Sequence, residues 1–376
     1  MSIWFNRPAV TGRETANIAE AISSGHLAGD GVFTGRCHRG LEALTGAARV
    51  LLTTNCTHAL EMAVMLADVG PGDEVICPPF TFVSSVNAFV LRGAAPRFVD
   101  IRDDTLNLDE RQVEAAITPR TRAIMVVHYA GVGAELDALA DLARRHGLTL
   151  IEDNAHGLFG RYHGRPLGSV GATSTLSFHE TKNLTCGEGG ALVINDPALV
   201  ERAEILREKG TNRSRFYRGQ VDKYTWVDVG SSYLPSEILA AYLWAQIDAR
   251  DAIQSRRQAI WQRYDTGLAA WAAAHAVRRP VVPPHCEHPA HLYYLRLPSL
   301  EARQGLIAHL RARQILAVFH YLPLHLSDQG RRYGGAVGQH PVTEAAADEL
   351  VRLPLHYHLS AADQERVIDA VTSFVP

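Results

Sequence analysis

Few features of this chain place it outside the ordinary globular proteins. Its five cysteines, Cys37, Cys56, Cys77, Cys186 and Cys286, form no CxxC pair. An odd, unpatterned count argues against a disulfide framework and for a reducing, cytoplasmic setting. No apolar run approaches the roughly 18 residues that span a bilayer. Met1 to Arg7 lacks the basic and apolar segments of a secretion signal, so neither a leader nor a membrane partner is expected. Charge is not in excess either: 20% of residues are charged and the net charge is −3, which argues against a nucleic-acid partner and against disorder. No internal repeat or low-complexity segment is present. No GxGxxG follows a strand, so a dinucleotide-binding fold has no support. His285, Cys286, His288 and His291 lie close together, but their spacing is not that of a metal-ligand pair and three nearby prolines make the segment irregular. No metal is expected.

What is present is a 376-residue chain, 47% hydrophobic, enough for a large core and two domains. Thr11-x-x-Glu14 is a capping-box pattern ahead of a helix that Gly25 stops. The glycine-rich stretch from Gly25 to Gly35 is expected to cross over another part of the molecule or another subunit. From Val50 to Asp153 short apolar runs alternate with helical patterns. The strands are expected at 50–52, 74–77, 96–99, 123–127 and 148–151, with helices between them. This order predicts an α/β fold with a mostly parallel central sheet covered by helices, with ligands beyond the carboxyl ends of its strands. Two further strands are expected at 173–177 and 191–194. A basic, aromatic loop runs from Lys209 to Trp226, and a long helical region from Pro235 to His275. Pro280, Pro283, Pro284 and Pro289 mark a linker or irregular edge. The tail reads as a small α/β unit: strand 291–297, helix 301–313, strand 317–320, then helices at 343–351 and 361–373. The boundaries drawn are 1–245 for a large domain with an N-terminal arm and 246–376 for a smaller one.

The organising stretch is Ser177-Phe178-His179-Glu180-Thr181-Lys182-Asn183, between two apolar strands and followed by Gly187-Glu188-Gly189-Gly190. A lysine at such a turn is a poor structural choice, because its ammonium is costly to bury. It is a good chemical one, since a desolvated amine of lowered pKa forms a Schiff base with an aldehyde. Three other places match it. Thr53-Thr54-Asn55-Cys56-Thr57-His58 joins a strand to a helix start, where free N–H groups suit a phosphate. Asp153 ends an apolar strand, where a lone carboxylate needs a partner such as a pyridinium N–H, and His156 follows three residues later. Phe82 stands where a ring can stack on a flat ligand. Each has a plainer reading taken singly: Thr57 and Asp153 as helix caps, His156 as a satisfied local histidine, Phe82 as core, Lys182 as a solvated surface lysine.

Taken together in chain order, these motifs resemble those of a fold-type I pyridoxal-phosphate enzyme of the DegT/DnrJ/EryC1/StrS aminotransferase family. Pro79-Phe80-Thr81-Phe82-Val83-Ser84-Ser85, Glu152-Asp153-Asn154-Ala155-His156, the lysine stretch and Phe319-His320-Tyr321-Leu322-Pro323-Leu324-His325 carry the resemblance. Val127-His128-Tyr129-Ala130-Gly131, Lys209-Gly210-Thr211-Asn212-Arg213-Ser214 and Val221-Asp222-Lys223-Tyr224-Thr225-Trp226 are similar to the branch that makes the 4-amino-4,6-dideoxy sugar of enterobacterial common antigen.

The resemblance implies pyridoxal 5'-phosphate as cofactor, with Lys182 as Schiff-base lysine and proton shuttle. It implies Asp153 on the pyridine nitrogen, His156 near the ring hydroxyl and Phe82 on the ring face. Cys56, Thr57, His58 and Ser177 would surround the phosphate. Family members place an Asn of the neighbouring subunit on that phosphate; here Leu234 occupies its position, and Ser231 or Ser232 is the candidate replacement. The implied substrates are L-glutamate and a dTDP-4-keto-6-deoxyhexose. Arg213, Lys223 and Tyr224 are the candidates for the nucleotide, His320 and His325 for the sugar; the basic loop also reads simply as a solvated face. A homodimer with sites at the subunit interface is implied. Transamination at C3 of a 3-keto sugar is the neighbouring alternative. A sugar 3-dehydratase would carry histidine in place of Lys182, and a non-catalytic member of the fold has no need of Asp153, Ser177 and Lys182 together.

Overall fold

The computed structural model describes residues 2–376. The Thr11 pattern forms only its backward half. The Thr11 amide and hydroxyl both donate to Glu14 Oε1, at 2.8 and 2.7 Å, so α1 (Glu14–Ser23) begins at the glutamate and not before it. Gly25, at φ 71°, turns the chain away. The glycine-rich stretch then runs over the chain itself. The buried Glu237 carboxylate accepts from the amides of Gly31, Phe33 and Thr34 at 3.1, 2.7 and 2.9 Å, fixing the start of α2 (Val32–Thr45).

Strand–helix alternation follows as expected: β1 (Arg49–Thr53), α3 (Cys56–Leu66), β2 (Glu74–Cys77), α4 (Val83–Val90), β3 (Ala95–Phe98), α5 (Glu110–Ala116), β4 (Thr121–Val127), α6 (Leu136–His146) and β5 (Thr149–Asp153). Two short strands, β6 (Arg161–Tyr162) and β7 (Arg165–Pro166), precede β8 (Thr173–Ser177) and β9 (Gly190–Ile194). The seven-stranded sheet has the order β1-β9-β8-β5-β4-β2-β3, parallel from β8 to β3, with β9 antiparallel to both its neighbours. Helices cover both faces, and the strands still alternate strictly. Leu51, Val75, Met125 and Ile151 enter one core, while Val50, Ile76, Ile124 and Leu150 enter the cores across the sheet.

After β9 come α7 (Val200–Arg207) and, inside the basic loop, α8 (Arg213–Tyr217). The long helical region is two helices, α9 (Glu237–Asp248) and α10 (Arg250–Ala274), which meet at Ala249. The proline-rich segment is no free linker: β10 (Cys286–Glu287) pairs back with β6. The tail supplies β11 (Tyr293–Arg296), α11 (Leu300–Ala312), β12 (Val318–Phe319), α12 (Asp328–Arg331), α13 (Pro341–Glu349), β13 (Leu350–Leu353) and α14 (Ala361–Thr372). The strand β13 was not expected. It follows α13 without a Gly or Pro break, yet it is the middle strand of the sheet β11-β13-β12, where cross-strand pairing overrides local pattern. Trp261, Tyr264, Tyr293, Leu306 and Val351 form the core under this sheet, and Ile3 from the N-terminus packs into it. Among the described residues no helix is long and apolar enough to cross a membrane.

Replacing Glu237 by Gln removes one of the two carboxylate oxygens on which three backbone amides and the Thr34 hydroxyl converge. A loss of about 2–4 kcal/mol is expected, read as a lower midpoint in chemical denaturation.

Candidate active site

A cavity of about 900 Å³ opens at the carboxyl ends of β5 and β8, between the large sheet and the small one, and Lys182 lies on its wall. The lysine sits on the turn after β8, its amide donating to the His179 carbonyl at 2.9 Å. Burial lowers its pKa to about 8, against the opposing pull of Cys56 and Asp153. At pH 8 about half of such amines are uncharged, against well under 1% at an ordinary lysine pKa.

Alternation along β5 separates two adjacent carboxylates. Glu152 points to the far face, where His128 Nε2 (2.8 Å) and the amides of Gly168, Val170 and Gly171 (2.9, 2.8 and 2.6 Å) surround it. Burial alone would raise its pKa, but these bonds hold it below the usual value. Asp153 points to the cavity. Ser85 Oγ donates to its Oδ2 at 2.6 Å and the Ala155 amide to its Oδ1 at 3.1 Å, and Ser85 is itself steadied by Thr81 at 2.8 Å. The carboxylate is therefore oriented, and among the described residues it makes no salt bridge.

The start of α3 forms another wall. Asn55 caps the helix by accepting from the His58 amide at 2.8 Å, which leaves the Cys56 and Thr57 amides at the cavity. Gly190 allows this closeness: a Cβ there would lie 2.4 Å from the Asn55 carbonyl carbon and the Cys56 nitrogen. Thr57 and Ser84 hydroxyls meet at 2.8 Å and Ser177 lies across from them, all lining the cavity. Burial pushes the Cys56 thiol up to about 12, so it stays protonated. His156 stacks on His291, centroids 4.3 Å apart, with its Nδ1 buried and without a partner. Burial holds His156, His291 and His320 well below the ordinary imidazole value, so all three are neutral near pH 7. His320 Nδ1 lies 3.0 Å from the Tyr129 hydroxyl. Phe82 lies at the mouth, 58% exposed.

The cavity therefore gathers Cys56, Thr57, Phe82, Asp153, His156, Ser177, Lys182 and His320. Other candidates lie elsewhere. The amide of His58 is used in the cap, and its ring is held by Thr54 and Tyr233. His325 is fully buried against Phe98 and His340, with Nε2 3.0 Å from Glu344, and does not line the cavity. Arg213 is engaged with Tyr217 and Glu208. Lys223, Tyr224, Ser231 and Ser232 are exposed and do not line this chain's own cavity. Leu234 packs on Gly29. The sequence reading gave no role to Phe5, Asn6, Ser84, Ser85 or Arg352, and weighed His291 only as part of a metal cluster. Ser84, Ser85 and Arg352 had a signal, a polar residue inside an apolar run; Phe5 and Asn6 had none before the chain closed.

These features fit pyridoxal phosphate: an amine of lowered pKa, an oriented carboxylate without a salt bridge, an unpartnered imidazole nitrogen and a helix N-terminus ringed by hydroxyls suited to a phosphate.

Comparison with known proteins agrees. The DegT/DnrJ/EryC1/StrS aminotransferase family matches residues 8–372. The chain is 31% identical to the spore coat polysaccharide biosynthesis protein SpsC of Bacillus subtilis, over 99% of this chain and 96% of SpsC. The aminotransferase TlmJ from Streptoalloteichus hindustanus superposes with a TM-score of 0.91 at 32% identity, over 99% of this chain and 98% of TlmJ. Spr1654 from Streptococcus pneumoniae, assigned as a sugar aminotransferase and solved in a PLP-form, superposes with a TM-score of 0.91 at 28% identity, over 99% and 98%.

The lowered lysine pKa has a kinetic signature. Covalent capture of pyridoxal phosphate by the apoprotein should rise with pH around a midpoint near 8 and level off above it. A midpoint near the ordinary lysine value would show that the amine is not desolvated.

Proposed function

The chain belongs to the DegT/DnrJ/EryC1/StrS aminotransferase family and is a PLP-dependent sugar aminotransferase, and from that premise we propose that it moves the amino group of L-glutamate to the C4 keto group of a dTDP-4-keto-6-deoxyhexose. Glutamate leaves as 2-oxoglutarate, and the sugar leaves as a dTDP-4-amino-4,6-dideoxyhexose.

The cofactor, when bound, supplies an aldehyde that carries the amino group and a ring that accepts the electron pair of the reacting carbon. The Cys56 and Thr57 amides with the Thr57, Ser84 and Ser177 hydroxyls would hold its phosphate. Asp153, steadied by Ser85, keeps a proton on the ring nitrogen. His156 Nδ1, which has no partner of its own, would serve the ring oxygen, and Phe82 would flank the ring. Lys182 Nζ, uncharged in part near pH 8, takes the proton from the substrate carbon and returns it. Its desolvation is the observation that carries this assignment of roles.

The basic loop supports the nucleotide reading and the dimer together. Tyr217, Tyr224 and Trp226 are 69%, 51% and 77% exposed beside Arg213 and Lys223. Such an apolar and cationic surface suits a base and a diphosphate. Since it does not line its own chain's cavity, its place in this reading is over the partner's, with Ser231 and Ser232 beside it. The C4 assignment rests on the resemblance of the segments 127–131, 209–214 and 221–226 to the C4-aminating branch.

Incubation with L-glutamate and dTDP-4-keto-6-deoxyglucose should give a product whose NMR spectrum places the amine on C4. An amine on C3, obtained only from a 3-keto sugar, would replace this reading with the C3 alternative. Replacing Asp153 by Asn should lower kcat/KM by about 100-fold or more while the cofactor remains bound.

A further inference from the structure

His291 stands two residues before β11 and lines the cavity, yet no step of the transfer above employs it. Its backbone is held in place at a cost. Ala290, just before it, has φ 50°, a left-handed conformation that strains a residue with a Cβ. The buried Arg257 of α10 secures this turn. It donates through Nε to the Ala290 carbonyl at 3.1 Å and through Nη2 to the His291 carbonyl at 2.5 Å. The ring itself stacks on His156 and is 7% exposed.

A closed set of hydrogen bonds decides which nitrogen of this ring carries the proton. The Pro289 carbonyl accepts from Asn183 Nδ2 at 2.8 Å and from Gln254 Nε2 at 2.7 Å. Gln254 therefore turns its Oε1 to Asn183 Nδ2, at 3.1 Å. With its amide nitrogen committed to two oxygens, Asn183 offers His291 only Oδ1, which lies 3.0 Å from Nδ1. An amide oxygen accepts and cannot donate, so Nδ1 holds the proton. Burial, with His156 and Lys182 nearby, keeps the ring neutral, and a neutral imidazole has a single N–H. Nε2 is therefore a bare acceptor. Among the described residues it has no hydrogen-bond partner, and unlike His156 Nδ1 it is not closed off from the cavity.

We propose that His291 Nε2 accepts a hydrogen bond from a ring hydroxyl of the sugar substrate, with Asn183 as the positioning residue that fixes it as an acceptor. This rests on the keto-sugar reading above. The fixed lone pair selects its ligand by chemistry. The carboxylates of the amino-acid donor are acceptors too, which it repels, and a keto oxygen has no proton to give. The amine of the donor is taken up in the transfer. The hydroxyls beside the reacting carbon of the sugar are the donors that remain. A site built to accept from a substrate hydroxyl also rejects the analogue that lacks it, because its own acceptor is then left unpaired.

The PLP-loaded enzyme has no amine to give, so dTDP-4-keto-6-deoxyglucose binds it without turnover and calorimetry reads the affinity. With the wild type, either the 2-deoxy or the 3-deoxy analogue of this sugar should bind about 10- to 100-fold more weakly than the parent, which identifies the hydroxyl. Replacing His291 by Phe keeps a flat ring against His156 without an acceptor. In H291F the parent should fall to the affinity of that analogue, while the analogue binds as it does to the wild type. H291Q, which brings an amide oxygen to the same wall, should restore part of the difference. N183L releases the proton to either nitrogen and should weaken the parent by a smaller factor. An unchanged cofactor absorption spectrum shows that the chamber is intact in each variant. The proposal is overturned by a wild type that distinguishes neither analogue, or by an H291F variant that weakens parent and analogues alike or still tells them apart. A wild type that binds dTDP as tightly as it binds the keto sugar refutes the sugar reading, which separates that failure from failure of the role of His291.

Discussion

Weakening the hold of one lysine amine on its proton, by partial burial, is the constraint around which this molecule is arranged. An ammonium is among the most strongly hydrated groups in a protein, and withdrawing it from water favours its neutral form. That partial withdrawal needs walls from several parts of the chain. The large sheet provides the strand ends and the start of α3; the small sheet provides His320 and Arg352; the N-terminal segment provides Phe5 and Asn6. No single element desolvates Lys182. Its chemistry is a property of the packing of three distant parts of the chain.

The carboxylates of β5 show how the same backbone serves stability and function at consecutive residues. Glu152 is saturated by His128 and three amides, and it ties the loop at 168–171 to the sheet. Asp153 is oriented by Ser85 and one amide and faces the cavity. The side-chain period of two along a strand decides which acid does which. A slip of one residue in register would exchange them and leave the cavity without its acid.

The exposed loop at 209–229 and the buried His325 mark two limits of reading a chain in one dimension. The loop is basic and aromatic, as a nucleotide site would be, yet it lies on the outside of its own chain. His325 stands five residues from His320 in one motif, but a 3-10 turn over Leu324–Leu326 directs it into the protein against Glu344. His58 is likewise consumed by the capping of α3. Neighbours in sequence are not neighbours in function when a turn or a helix start comes between them.

The sequence by itself determined the order of elements, the parallel sheet and the four motifs that carry the chemistry. Each of these depends on local pattern: apolar alternation, helix-start residues, and polar groups stranded in apolar runs. It also singled out Lys182, on the turn after a buried strand, and Asp153, at the end of one, because a charge in such a place needs a partner whatever surrounds it. Only the tertiary structure decided that β13 is a strand, that the proline-rich segment returns to β6, and that Phe5, His291 and Arg352 meet Lys182. These are contacts between residues more than a hundred positions apart or pairings made across strands, and their energy exists only once the chain has closed on itself.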